Sequence, residues 1–335
     1  MDNNVKMKDI AESLGISVVT VSKALNDKDG VGDELRQKIK DLAMKMGYNV
    51  NRFAKSMKEG FSNSIGIIIC DRFLINNDSK SSIYLECYQM LSTELEKKGY
   101  TGILYTLSEN DEFDLVTPRI YREKVVDGLI FLGQTSNDYI KNIKEKDIPY
   151  VLFDFYTTDF ESDCIVNDNY LSGFQLGEFI LSKGLEDIIF IGNLRATLSI
   201  QDRFLGILKA FINKNKYLDV NNVINDRDEK GKFISIDIPK KLPQVFVCNC
   251  DQVAFRLIQE LKNKGIDVPK DCGVVSFDND IYATLIEPYL TTIDINVTDM
   301  SIETVKLIIK KINDTNHRTS KILIKSKLII RESVL

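Results

Sequence analysis

From residue 65 onward, short aliphatic and aromatic runs recur between amphipathic stretches, and this alternation limits the possible folds more than any other feature of the chain. The runs at 65–70, 101–105, 128–132, 150–153, 188–191, 245–248 and 274–277 are apolar at nearly every position. A strand without a polar face is buried on both sides, as in parallel sheets covered by crossover helices. Three junctions between such units share one dipeptide: Lys98-Gly99, Lys183-Gly184 and Lys264-Gly265. The lysine sets a cation at the helix C-terminus and the glycine takes the left-handed cap. The pattern predicts an α/β region of parallel sheets built from repeated βα units.

The first sixty residues follow a different period. Ile10, Ala11, Leu14, Ile16, Val21, Ala24 and Leu25 fall on two short helical faces with Gly15 between them, which is helix-turn-helix spacing. Ala11 is small enough for a close helix crossing, Gly15 tolerates the positive φ of a tight turn, and Ser17 stands where a hydroxyl caps the second helix. At about 100° per residue, Val18, Val21, Ala24 and Leu25 gather on one side of that helix, with Val19, Ser22 and Lys23 opposite. The second face is free to enter a groove, where valine suits a thymine methyl and Ser22 and Lys23 suit phosphates or base edges. Val18 fits either face. A third helix is expected from about 33 to 46, stopped by Gly47, and a short basic helix-capable segment follows up to Gly60.

Charge divides at the same place. Residues 1–60 hold 11 Lys/Arg against 9 Asp/Glu, net +2, and the remainder hold 33 against 40, net −7. The positive end is a modest footprint for phosphate binding. The six cysteines (Cys70, Cys87, Cys164, Cys248, Cys250 and Cys272) are scattered through strand-like segments and are expected to be reduced core thiols. With one histidine, His317, in a polar stretch, neither a histidine metal site nor a Ser-His-Asp triad has its parts nearby. No catalytic residue, metal or cofactor is therefore predicted, and the chain is read as a non-enzyme. No apolar run approaches the ~18 residues of a membrane span and the N-terminus lacks an apolar signal region, so a cytoplasmic location without membrane contact is expected.

Parallel sheets bind ligands at the carboxyl ends of their strands. Asp71, Asp154, Asp251 and Asp278 each follow an apolar run, and Arg203 lies within Gln201-Asp202-Arg203-Phe204-Leu205-Gly206. Carboxylates and a guanidinium converging on a cleft suit a polyol or sugar, whose hydroxyls need both acceptors and donors. The segment 213–242 is short by about a helix for a crossover unit, and the segment 71–82 is long enough to cover a cleft.

The stretches Met7-Lys8-Asp9-Ile10-Ala11-Glu12, Gly15-Ile16-Ser17, Thr20-Val21-Ser22-Lys23-Ala24-Leu25-Asn26 and Gly47-Tyr48 through Met57 resemble the DNA-binding head of the lactose-repressor (LacI/GalR) family. The resemblance continues through Ile165-Val166-Asn167-Asp168-Asn169, Arg203-Phe204-Leu205-Gly206, Val268-Pro269, Ser276-Phe277-Asp278, Leu290-Thr291-Thr292-Ile293 and Arg331-Glu332-Ser333, and so covers nearly the whole chain. It implies a small all-α helix-turn-helix head at 1–49, a hinge helix and linker at 50–62, and an effector-binding and dimerisation domain at 63–335. That domain would hold two doubly wound parallel-sheet subdomains like those of type I periplasmic binding proteins, one at about 63–162 and 294–324, the other at about 163–293 and 325–335. The chain would cross between them three times.

The same resemblance implies a homodimeric repressor on pseudo-palindromic operator DNA, controlled by a small-molecule effector such as a sugar. Its implied DNA contacts are Val18, Val19, Thr20, Ser22, Lys23, Asn26 and Arg36 in the head, and Asn51, Arg52, Ala54, Lys55 and Met57 in the hinge, with Met57 as the apolar wedge between base steps. The resemblance implies Arg203 and Asp278 as effector contacts, with Cys250 at a ligand-contacting position, and the strand-end carboxylates Asp71, Asp154 and Asp251 complete the expected set. Cys250 departs from the asparagine common in the family, no tryptophan is present to stack on a sugar ring, and Gly32 replaces the frequent serine cap of the third helix. The sequence leaves both a metabolite and a phosphoprotein open as co-regulator. The end at Leu335 without a leucine heptad favours a dimer over a tail-built tetramer.

Overall fold

The computed structural model describes residues 5–48, 61–74, 83–228, 231–314 and 317–335. The chain divides into two compact units, Met1–Ser62 and Asn63–Leu335.

In the first unit, helices α1 (Met7–Leu14), α2 (Val18–Leu25) and α3 (Asp33–Lys45) close around Ile10, Ala11, Val21, Ala24, Ile39 and Ala43. Gly15 ends α1 at φ 64°, and its N–H is donated back to the carbonyls of Ala11 and Glu12. The Ser17 hydroxyl accepts from the Thr20 N–H at 3.0 Å, as expected of a cap. Gly32 precedes α3 without a side-chain cap, and Asp33 and Glu34 supply only first-turn charge against the helix dipole.

The second unit contains two six-stranded sheets. In the first, β1 (Ser64–Cys70), β2 (Thr101–Leu107), β3 (Gly128–Leu132), β4 (Tyr150–Phe153), β5 (Cys164–Asn167) and β11 (Lys321–Ile324) lie in the order β11-β5-β4-β3-β1-β2, with every pairing parallel. In the second, β6 (Ile188–Ile191), β7 (Val223–Ile224), β8 (Val245–Cys248), β9 (Gly273–Asp278), β10 (Thr291–Asp294) and β12 (Lys327–Ile329) lie in the order β12-β10-β9-β8-β6-β7, and only β12 runs antiparallel. Helices between the strands cover the sheets. Along β1, Ile65, Ile67 and Ile69 enter the core on one face while Ile68 and Cys70 enter the core on the other. Two cores per sheet are why these strands carry no polar alternation.

The chain passes from the first sheet to the second after β5, returns after β10 and passes over again after β11. The first crossing therefore follows Asn167, later than the boundary expected at 162, because Cys164–Asn167 pairs with both β4 and β11 instead of joining the second sheet. The return is pinned by Asp163, which accepts from Lys311 at 2.8 Å, sits 2.9 Å from His317 Nε2 and accepts from the Ser320 N–H at 2.9 Å. His317 thus has a structural post. Two cysteines depart from the strand-like setting expected: Cys87 lies in α4 (Ile83–Lys97) and half-buried Cys250 precedes α10 (Asp251–Asn263).

Two glycines let a helix pair approach to backbone contact. A Cβ on Gly173 in α8 (Asn169–Ser182) would lie 2.0 Å from the Arg203 carbonyl oxygen, and one on Gly206 in α9 (Leu198–Asn213) would lie 2.0 Å from the Tyr170 carbonyl oxygen. The Arg203-Phe204-Leu205-Gly206 sequence therefore carries its own means of seating α9, and with it Arg203.

Candidate functional site

In the head, α2 buries Val21 and Ala24 and leaves Val18 44% and Val19 66% exposed. Val18, which helix geometry left between core and surface, thus stands outward, next to half-buried Ser22 and exposed Lys23. Thr20 shares a 2.8 Å hydroxyl contact with Ser17, and Asn26 closes the helix by donating to the Ser22 carbonyl at 2.8 Å. Arg36, expected at DNA, is engaged within the head. Its guanidinium donates to the carbonyls of Lys28 at 2.9 Å and Val31 at 3.1 Å, and its side chain is 17% exposed. It ties the loop after α2 to α3. Asp27 in that loop is held below the ordinary carboxylate range, chiefly by its hydrogen bond with Lys40. The hinge residues Asn51, Arg52, Ala54, Lys55 and Met57 lie outside the described residues.

In the second unit, the carboxyl ends of the strands border a cavity of about 140 Å³ between the sheets. Asp154, Arg203, Cys250 and Asp278 all line it. Asp154 leaves β4 with φ 67° and Asp278 ends β9 with φ 109°, so both chains turn sharply where they deliver a carboxylate. Arg203 reaches in from α9, donating from Nε to Asn169 Oδ1 at 2.8 Å, from Nη1 to the Asn249 carbonyl and from Nη2 to Asp278 Oδ1 at 3.0 Å. Its guanidinium carbon also stands 4.8 Å from the Phe277 ring centre. The arginine is fixed before any ligand arrives. Asp154 is the opposite: its Oδ1 is buried without a hydrogen-bond partner among the described residues. Burial pushes its carboxyl up to about 7, with Arg203 pulling it down and Asp278 pushing it further up. Asp280, also on the cavity, is likewise raised to about 7 by burial and by neighbouring Asp278.

Two expected contacts are elsewhere. Asp71 accepts from the Glu109 N–H at 3.3 Å and does not line the cavity, because the chain turns into a short 3-10 helix immediately after β1. Asp251 is fully buried behind the cavity, where it accepts from the Ser276 and Thr292 hydroxyls, the latter at 2.7 Å, and from the Asp280 N–H at 2.9 Å. Burial, Asp280 and Asp278 together drive its carboxyl well above the usual range. It stitches β9 and β10 to α10. The motif residues Arg331 and Ser333 are stitches too: Arg331 donates to the Leu290 carbonyl at 2.7 Å, and Ser333 Oγ accepts from the Thr291 N–H at 2.8 Å.

Sequence reasoning missed Arg227 and Phe233, both on the cavity. They lie in the stretch between β7 and β8, which carries no helix among its described residues and instead folds back through a bridge between Arg227 and Phe233. Arg227 donates to buried Asp226 at 2.7 Å and to Asn249 Oδ1 at 3.1 Å, and lies 4.7 Å from the Phe233 ring centre. The shortness of 213–242 was the available signal: a segment too short for its crossover helix is spent on a loop. From the segment 71–82, Phe73 lines the cavity and residues 75–82 lie outside the described residues.

Residues 6–51 match the family described as "Bacterial regulatory proteins, lacI family", and residues 178–334 match "Periplasmic binding protein-like domain". The chain therefore joins a LacI-family DNA-binding head to a periplasmic-binding-protein-like domain. Among its relatives is the HTH-type transcriptional regulator RegA of Clostridium saccharobutylicum, 29% identical over 98% of this chain and 99% of that protein. The fold is shared with the Lac repressor dimer bound to operator and the anti-inducer ONPF, with TM-score 0.76 and 17% identity over 99% of this chain and 100% of that one. It is shared as well with the CelR–cellobiose complex, with TM-score 0.68 and 18% identity over 98% and 100%. Among the described residues, no helix is long and apolar enough to cross a membrane.

Proposed function

We propose that this regulator is a homodimeric operator-binding repressor, resident in the cytoplasm, whose DNA affinity is set by a sugar or sugar derivative in the cleft, with no catalytic step. The observation that carries the reading is the convergence of Asp154, Arg203, Cys250 and Asp278, from four segments distant in sequence, on one cavity between the two sheets. Paired guanidinium and carboxylate groups in a sheltered site offer the mixed donors and acceptors that hydroxyls require. The likeness to a cellobiose complex and to an operator-bound dimer supports both halves of the reading.

Two heads on a two-fold axis read two half-sites, with Val18, Val19, Ser22 and Lys23 in the major groove. Residues 50–62 form the hinge, and Met57 wedges a base step in the minor groove. An effector that binds one arrangement of the subdomains better than the other shifts operator affinity by that difference and no more.

Selection of bound fragments from a random DNA pool at moderate salt tests this. Enrichment of a near-palindromic site is expected, and Met57→Glu should weaken specific binding far more than nonspecific binding, which phosphate contacts dominate. A folded protein that enriches no motif, with or without sugars, would overturn the reading.

A further inference from the structure

The cavity does not end at the residues facing Arg203. Phe73, Gln134, Thr197, Arg227 and Gly231 line it and also line a second compartment of about 730 Å³ on its outer side. Sites that enclose small organic ligands run to about 300–1,000 Å³. The inner compartment of about 140 Å³ falls short of that range alone, and the two together fall within it.

The outer walls have a definite chemistry. Phe113, at the end of α5 (Glu109–Phe113), lines this compartment with its side chain 85% exposed, and it belongs to neither core on the first sheet. An apolar ring kept in water beside a ligand cavity is a platform for the apolar face of a sugar. Arg72 is neutralised by Glu112 and Arg227 by Asp226, while Lys141 shares its helix α7 (Asn137–Glu145) with Asp138 and Glu145. Among the described residues of this compartment no cation is left in excess to hold a phosphate or carboxylate, and the acidic groups accept from hydroxyls.

We propose that the effector is an uncharged oligosaccharide of at least two units, the first held at Arg203 and Asp278 and the next stacked on Phe113 in the outer compartment. This rests on the cleft being the effector site. Because the first-sheet residues Gln134 and Phe113 and the second-sheet residues Thr197 and Arg227 all border the outer compartment, the second unit joins both subdomains across the cleft mouth.

The chain has no tryptophan, so Phe113→Trp provides a single reporter. Full-length wild type is titrated by calorimetry, and the Phe113→Trp variant by fluorescence, with glucose, maltose, maltotriose, cellobiose, xylose, xylobiose, mannose, mannobiose, glucose 6-phosphate and glucuronate. The expected result is that a di- or trisaccharide of one series binds about tenfold or more tighter than its monosaccharide and shifts the tryptophan emission. Phe113→Ala should then cut that preference roughly 3- to 10-fold. Tightest binding by a monosaccharide or by an acidic sugar overturns the proposal, as does an emission change on protein dilution but with no sugar, which marks a subunit contact. In those cases binding that Arg203→Ala abolishes leaves the cleft reading standing. Binding of no sugar, or binding indifferent to Arg203→Ala, defeats the cleft reading and this proposal with it.

Discussion

The cleft wall from the second sheet presents polar groups that already hold one another: Arg203 with Asn169 and Asp278, and Arg227 with Asp226 and Asn249. The wall from the first sheet presents aromatic rings, Phe73, Tyr84 and Phe153, around a carboxylate oxygen of Asp154 that has no hydrogen-bond partner among the described residues. The difference teaches how such a cleft can work as a sensor. A preorganised wall binds ligand without paying to order its side chains, and a wall with an unmet hydrogen-bonding need gains only when the ligand bridges to it. On the proposed reading, closure of the first wall is the step an effector would drive.

The most severe way to break this asymmetry is Arg203→Ala. It leaves Asp278 facing the cavity without its buried partner, a loss of about 3–5 kcal/mol in such settings. Urea unfolding should show the drop, and effector response should vanish while operator binding by the head persists; an unchanged response would place the site elsewhere. Gly206→Ala acts on the same wall from behind, because its methyl group meets the Tyr170 carbonyl and forces α9 away from α8. Overpacking of this kind costs about 1–3 kcal/mol and should also weaken effector binding by moving Arg203. A variant as stable as wild type with full effector affinity would show that the close helix pair does not position the arginine.

Asp154→Asn sharpens the comparison from the other side. The folded protein binds the Asp154 proton up to about pH 7, while an unfolded aspartate releases it near pH 4. Between those values the native state holds more protons, so this group's contribution makes stability fall as pH rises from about 4 to 7 and level off above. The asparagine variant should be more stable than wild type at pH 8, with the difference narrowing toward pH 4. Unfolding midpoints that track wild type across that range would mean that Asp154 is not held raised in the folded protein.

Much of the architecture was legible because it rests on local rules. Apolar runs marked seven strands, six of them buried and the seventh, β2, an exposed edge, Ser17 and Gly15 marked the turn of the head, and the break in charge and period near residue 60 falls beside the division of the chain after Ser62. The strands missed were those without a long apolar run, such as β7 with two residues and the exposed edge strands β11 and β12.

The candidate site was only half legible. A strand-end aspartate reads the same in sequence whether it faces a cavity, as Asp278 does, or caps a neighbouring helix, as Asp71 does. Asp251 follows its apolar run as plainly as Asp154 follows its own, yet it is buried among the hydroxyls of Ser276 and Thr292. Arg36 in the head shows the same ambiguity, its donors taken by carbonyls of a loop several residues earlier. Chain order and hydrophobic period determined the elements and the end of the sheets, and short motifs carried the family resemblance, because all of these follow from neighbours along the sequence. Tertiary structure alone decided which polar groups point inward and which are already satisfied, since hydrogen bonds such as Arg203 to Asp278 join residues that only folding brings together.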